Sequence, residues 1–113
     1  MIEVVILNHL KNKLSVPVRL RKPEPLPADG KYVLFEKVGG NQLNKTGGST
    51  VAFQSYANSM ADVALLNEET KDAVESLIEL DEIVSVRYRT DYNFTDTTTK
   101  QYRYQALYDI KHY

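Results

Sequence analysis

The chain has 113 residues, 42% hydrophobic and 26% charged, with a net charge of −1 and no cysteine. This is the size of one domain, 1–113, able to bury more than ~60% of the surface its unfolded chain exposes, with a composition far from that of disordered chains. The lack of cysteine excludes disulfides, thiolate nucleophiles and cysteine-based zinc or iron–sulfur sites and fits a reducing, intracellular compartment, and with no run of ~18 apolar residues and no basic segment before the first apolar run, neither membrane insertion nor secretion is expected.

Ile2, Val5, Ile6, His9 and Leu10 follow the i, i+3, i+4, i+7, i+8 spacing of one helical face, with Lys11 and Lys13 near the negative end of the dipole, so the spacing predicts a short first helix. Val4 to Leu7 would also suit a buried strand. Val16, Val18 and Leu20 alternate with polar residues around Pro17, which points to an edge strand, and the prolines at 23, 25 and 27 with Asp29-Gly30 make an extended connector ending in a turn. Strands are predicted over 32–38 and 50–56. Between them, glycine pairs bracket a polar stretch over 39–48 that reads as a mobile hairpin loop, ordered only on assembly.

Ser59 and Asp62 resemble a capping box ahead of a helical stripe of Met60, Val63, Ala64, Val74, Leu77 and Ile78 that runs to about Leu80. Its polar middle, 67–72, suggests a kink or an exposed central turn. Val84, Val86, Tyr88, Thr90, Tyr92 and Phe94 then alternate with polar residues, and so do Tyr102, Tyr104, Ala106, Tyr108 and Ile110. These predict an antiparallel hairpin whose aromatic face packs beneath the helices. A register with Phe94 opposite Lys100 would set Tyr92 across from Tyr102 and Asp91 across from Arg103. The expected fold is α+β, an antiparallel or mixed sheet with two helices on one face in the order α-β-β-β-α-β-β.

Charge is segregated: residues 59–82 hold eight acids and one base, −7, and the rest of the chain +6. A solvated helix face explains the acids better than paired catalytic carboxylates. The two histidines have no partners at metal-ligand spacing, Asp109 and His112 fall on opposite strand faces, and His9 reads as a hydrogen-bonded core or boundary residue. The glycine pairs do not form a phosphate loop, because Lys45 and Thr46 precede the second pair and the segment joins two strands. Eight tyrosines with Arg87, Arg89 and Arg103 could stack single-stranded nucleic acid, but the alternation places tyrosines and arginines on opposite faces.

The run Gln54-Ser55-Tyr56-Ala57-Asn58-Ser59-Met60-Ala61, the ending Lys100-Gln101-Tyr102-Arg103-Tyr104-Gln105-Ala106 and the order of elements around them resemble the small tail terminator, or tail completion, proteins of long-tailed bacteriophages. The resemblance covers nearly the whole chain. It implies a non-enzymatic structural protein without cofactor or metal, a homo-oligomeric and typically hexameric ring that ends the tail tube. The implied partners are other copies of the chain, the major tail tube protein and the head–neck connector protein, with assembly in the host cytoplasm and a place in the virion tail. It also implies that the loop (Gly40, Asn41, Gln42, Asn44, Lys45) and the basic hairpin face (Arg87, Arg89, Arg103) take part in contacts. Charge segregation adds Glu75 and Glu79 of the acidic helix, since a subunit acidic on one element and basic elsewhere complements its own copy head to tail. The competing readings are a single-stranded nucleic-acid-binding module using the basic, aromatic hairpin and, more distantly, an enzyme whose site is shared between subunits.

Overall fold

The computed structural model describes residues 2–41, 47–96, 98 and 101–113. The elements are α1 (Ile2–Lys13), β1 (Val18–Arg19), β2 (Tyr32–Asn41), β3 (Gly47–Ala57), α2 (Met60–Glu75) with a 3-10 turn (Ser76–Glu79), β4 (Ile83–Asn93) and β5 (Tyr102–His112). They build one five-stranded mixed sheet in the order β1-β2-β3-β5-β4. The short β1 runs parallel to β2 at one edge and every other pairing is antiparallel. The fold is the expected α+β class with the expected element order.

Both helices cover one face of the sheet. Alternation along the strands turns Val33 and Phe35 of β2, Val51 and Phe53 of β3, and Ala106, Tyr108 and Ile110 of β5 to that side, where they join Ile2, Ile6 and Leu10 of α1 and Leu66, Val74 and Leu77 from α2 and its 3-10 turn. His9 is buried in α1 and its Nε2 lies 2.7 Å from Ser76 Oγ, so it is the hydrogen-bonded core histidine expected of it. Ser59 caps α2 by accepting from the Asp62 amide at 3.1 Å. The chain reaches β2 through Gly30, at φ 69°, where an added Cβ would collide with the Asn58 side chain, so only glycine fits that turn.

Four expectations are corrected. First, the segment 39–48 is not wholly a loop: β2 continues to Asn41 and β3 starts at Gly47, with Gly40 paired to Ser49 and Asn41 to Gly48 after a bulge between Lys37 and Gly39. Glycine lacks side-chain packing but keeps both ladder groups, and the bulge restores the register. Gln42, Asn44 and Lys45 lie outside the described residues, and with them the expected mobility of the loop. Second, the polar middle of α2 is not kinked, and it is exposed on one side only, at Glu68, Glu69 and Asp72. The α-helix is continuous to Glu75, and Asn67 and Thr70 are buried against the sheet, Thr70 Oγ1 lying 2.9 Å from Ser55 Oγ and donating to the Leu66 carbonyl at 2.8 Å. The last part of the expected helix is the 3-10 turn, which leaves Ile78 exposed.

Third, the closing hairpin is offset from the expected register: Tyr92 pairs with Gln105, Asn93 with Tyr104 and Asp91 with Ala106, and the Phe94 amide donates to the Arg103 carbonyl at 2.7 Å. Fourth, a bulge between Tyr88 and Thr90 reverses the faces of β4. Before it Val86 and Tyr88 pair with Ile110 and Tyr108 on the helix side. Beyond it Asp91 and Asn93 reach α2, through Asn67 and Met60, and Tyr92 turns to the other face. Of the aromatic hairpin face, Tyr108 packs beneath the helices, fully buried, and Tyr102 and Tyr104 share its face half-buried, while Tyr92 and Phe94 do not join them.

Candidate functional site

The face of the sheet turned away from the helices carries side chains at even positions of β2 and β3, odd positions of β5 and, beyond the bulge, Tyr92 of β4. At one end of this outer face the aromatic residues are stacked. The Tyr32 and Tyr56 rings are stacked nearly parallel with centroids 4.5 Å apart, and the Arg103 guanidinium lies 5.7 Å from the Tyr56 centroid and 4.3 Å from that of Phe94, which meets Tyr92 edge-on at 5.7 Å.

Hydrogen bonds close the group. Arg103 donates to the Phe94 carbonyl at 2.8 Å and to the Tyr56 hydroxyl at 3.3 Å, the Tyr56 hydroxyl to Gln54 Oε1 at 3.1 Å, Gln54 to Gln105 at 2.8 Å, and Gln105 to the Tyr92 hydroxyl at 2.6 Å. Tyr92 and Phe94 are still 39% and 43% exposed. They are large side chains held in place yet open to a partner, the combination that costs least entropy on binding.

The other end of the outer face is basic. Arg87, Arg89 and Lys111 ring a hollow of about 490 Å³ floored by Thr50, Ser85 and Asp109. Thr50 donates to Asp109 Oδ1 at 2.6 Å, and Arg89 Nε stands 3.6 Å from Asp109 Oδ2. Arg87 and Lys111 have no ion pair among the described residues. The three arginines expected to act together are therefore divided. Arg103 lies six residues along β5 from Asp109, or roughly 20 Å at the rise of a strand, and its guanidinium is held in the aromatic stack.

On the opposite, helical side the two acids singled out in the sequence are engaged within the fold. Glu75 Oε2 accepts from the buried Tyr108 hydroxyl at 2.6 Å, and Glu79 lies 3.8 Å from Lys13 of α1. Burial first, and the Glu75 carboxylate second, push the Tyr108 phenol up from its ordinary value. Both acids are exposed, as expected of a solvated helix face, and each has one such partner. Glu69 and Asp72 are likewise exposed but make no ion pair among the described residues.

Between α2 and β4 runs a polar seam. Lys71 binds Glu68 at 2.8 Å and Asp91 at 3.0 Å, Asn67 Nδ2 donates to Asp91 Oδ2 at 2.8 Å, and the Tyr88 hydroxyl donates to Asp91 Oδ1. Burial alone would raise the Asp91 carboxyl. The hydrogen bonds from Tyr88, Lys71 and Asn67 outweigh it, so the group sits below the ordinary carboxylate value, while Lys71 is raised, chiefly by its bond to Glu68. Asn67 Oδ1 is buried without a hydrogen-bond partner among the described residues. Sequence reasoning missed this seam and the outward turn of Tyr92 alike, because both depend on the bulge at Tyr88 to Thr90, for which no local residue pattern is diagnostic.

Asp109 and His112 do lie on opposite faces, Asp109 beside Thr50 and His112 beside Ser49, its Nε2 3.3 Å from Ser49 Oγ. Among the described residues no group of three or more histidine, cysteine or carboxylate side chains could hold a metal ion, and no helix is long and apolar enough to cross a membrane. What the outer face offers chemically is stacking, amide and hydroxyl hydrogen bonds, and uncompensated positive charge. The sequence matches no protein-family model and no curated protein.

Proposed function

We propose that this chain is a non-enzymatic structural protein of a phage tail, which assembles with further copies of itself into a ring that ends the tail tube and meets the head–neck connector. The observation that carries the reading is the one-sided sheet. Helices cover one face, while the other presents ordered but exposed Tyr92 and Phe94 beside the half-buried Arg103, residue types that dominate interface energetics when a partner excludes water around them. The resemblance in the runs at 54–61 and 100–106 supplies the ring and its tube and connector partners. The test is to add the purified protein to the polymerising tail tube protein of the same phage and to image the product. The reading expects shorter tubes capped at one end by a ring, and tubes of unchanged length and bare ends at molar excess would contradict it.

The aromatic stack favours a second reading, a single-stranded nucleic-acid-binding module. The separation of tyrosines from arginines that counted against it does not hold at Arg103, which shares a face with Tyr56, Phe94 and Tyr92. Because that guanidinium already spends two N–H donors on the Phe94 carbonyl and the Tyr56 hydroxyl and is fixed against the rings, it is less free to follow a phosphate backbone, and the assembly reading ranks first. Anisotropy of a labelled oligothymidylate separates the two: binding at low salt that weakens steeply with added salt and is lost in Phe94→Ala supports the second reading, and no binding removes it.

A further inference from the structure

We infer that the occupant of the basic hollow on the outer face is the acidic outer side of α2 from a neighbouring copy of the chain, centred on Glu69 and Asp72; this rests on the assembly reading. On α2 and around the hollow, opposite charges that make no ion pair among the described residues lie on opposite sides of the sheet. Glu69 and Asp72 are exposed on α2, on the helical side of the sheet, and Arg87 and Lys111 are exposed on the outer side. With the sheet between them, neither pair can neutralise the other within one chain. Glu79 is paired with Lys13, Glu68 with Lys71 and Arg89 with Asp109, while Glu75 keeps its charge beneath the bond from the Tyr108 hydroxyl and Arg103 keeps its own within the aromatic stack.

The spacings agree. Glu69 and Asp72 stand three apart on the helix, which sets their Cβ atoms about 5–6 Å from each other. Arg87 pairs with Asp109 and Ser85 with Lys111, so Arg87 and Lys111 are diagonal neighbours on one face, about 7–8 Å apart and within reach of two such carboxylates. Leu65, one turn before Glu69 and 62% exposed, gives the same helical stripe an apolar contact. Thr50 and Ser85 add hydroxyls to the floor of the hollow. A contact between two different patches is heterologous, so repeated copies run head to tail, and if the rotation closes they form a ring.

Charge reversal on each face tests the inference. Glu69→Lys with Asp72→Lys makes both faces basic, and Arg87→Glu with Lys111→Glu makes both acidic. Either double variant should need at least about tenfold more protein to assemble than the parent, since like charges then meet at every contact. Mixed in equal amounts, the two variants should recover the parent's assembly midpoint in alternating rings, because each now presents the complement of the other. Circular dichroism and thermal unfolding check that both variants are folded. Parent-like assembly of either variant, or a mixture that fails to recover, overturns the inference while the ring itself stands. A parent protein that never assembles overturns the assembly reading beneath it.

Discussion

The two halves of the layer between helices and sheet are built on different principles. Under α1 and the centre of the sheet the contact is apolar apart from His9, which meets Ser76, with Ile6, Leu10, Val33 and Phe53 fully buried. Under α2, toward β4, it is polar: Thr70 meets Ser55, Asn67 and Lys71 meet Asp91, and Tyr108 meets Glu75. An apolar contact needs area from whichever residues are near, whereas a buried polar group needs one partner in one position. The first half should therefore tolerate rearrangement and lose stability in proportion to volume, and the second should respond to single atoms and to pH.

The largest effect is expected from Phe53→Ala. Its ring stacks on Phe35 at 5.7 Å and meets Tyr108 edge-on at 6.0 Å, and its removal should cost about 3–5 kcal/mol in denaturant unfolding. In the seam, Asp91→Ala strips the partner from Asn67, already short of one, and should cost about 1–3 kcal/mol, toward the lower end because Lys71 keeps Glu68 and the site is partly open to solvent. If Asp91→Ala were neutral, the contrast between the two halves would dissolve. Tyr108→Phe keeps the ring and loses only the bond to Glu75, for about 1 kcal/mol.

The helix spacings, the period-two strands and the burial of His9 were legible in the sequence because each is a local pattern that the fold leaves intact. The face reversal in β4 was not. Alternation predicted Tyr88, Tyr92 and Phe94 on one side, and a single inserted position at the bulge was enough to send Tyr92 outward and bring Asp91 to Lys71. For the same reason the burial of Asn67 and Thr70 in the polar middle of α2 was not legible, since their partners Asp91 and Ser55 lie 15 or more residues away in the sequence. Of the expected contact residues, Arg87 and Arg89 fall on one surface, Arg103 is held in the aromatic stack, and Glu75 and Glu79 are exposed with one partner each, Tyr108 and Lys13.

The smallest effects are in pH. Asp91 titrates below its ordinary value in the fold, so its contribution to stability is present above about pH 4 and is lost as pH falls further toward the folded value. Asp91→Asn should flatten the acid limb of the stability curve there. Burial lowers His9, with the Lys13 charge adding to it, so its contribution is present above about pH 6.5 and lost as pH falls below that. Observation of the His9 ring by NMR should find its titration below pH 6.5, and a midpoint above it would refute the buried, neutral state beside Ser76.

Whether this chain builds rings is most directly read from its native mass over a concentration series at low and high salt. The assembly account predicts a monomer in dilute solution giving way to one discrete, closed multiple, with a midpoint that rises as the screening length shrinks from ~10 Å at 0.1 M toward ~3 Å at 1 M. A monomer at every concentration and at both salts would contradict it.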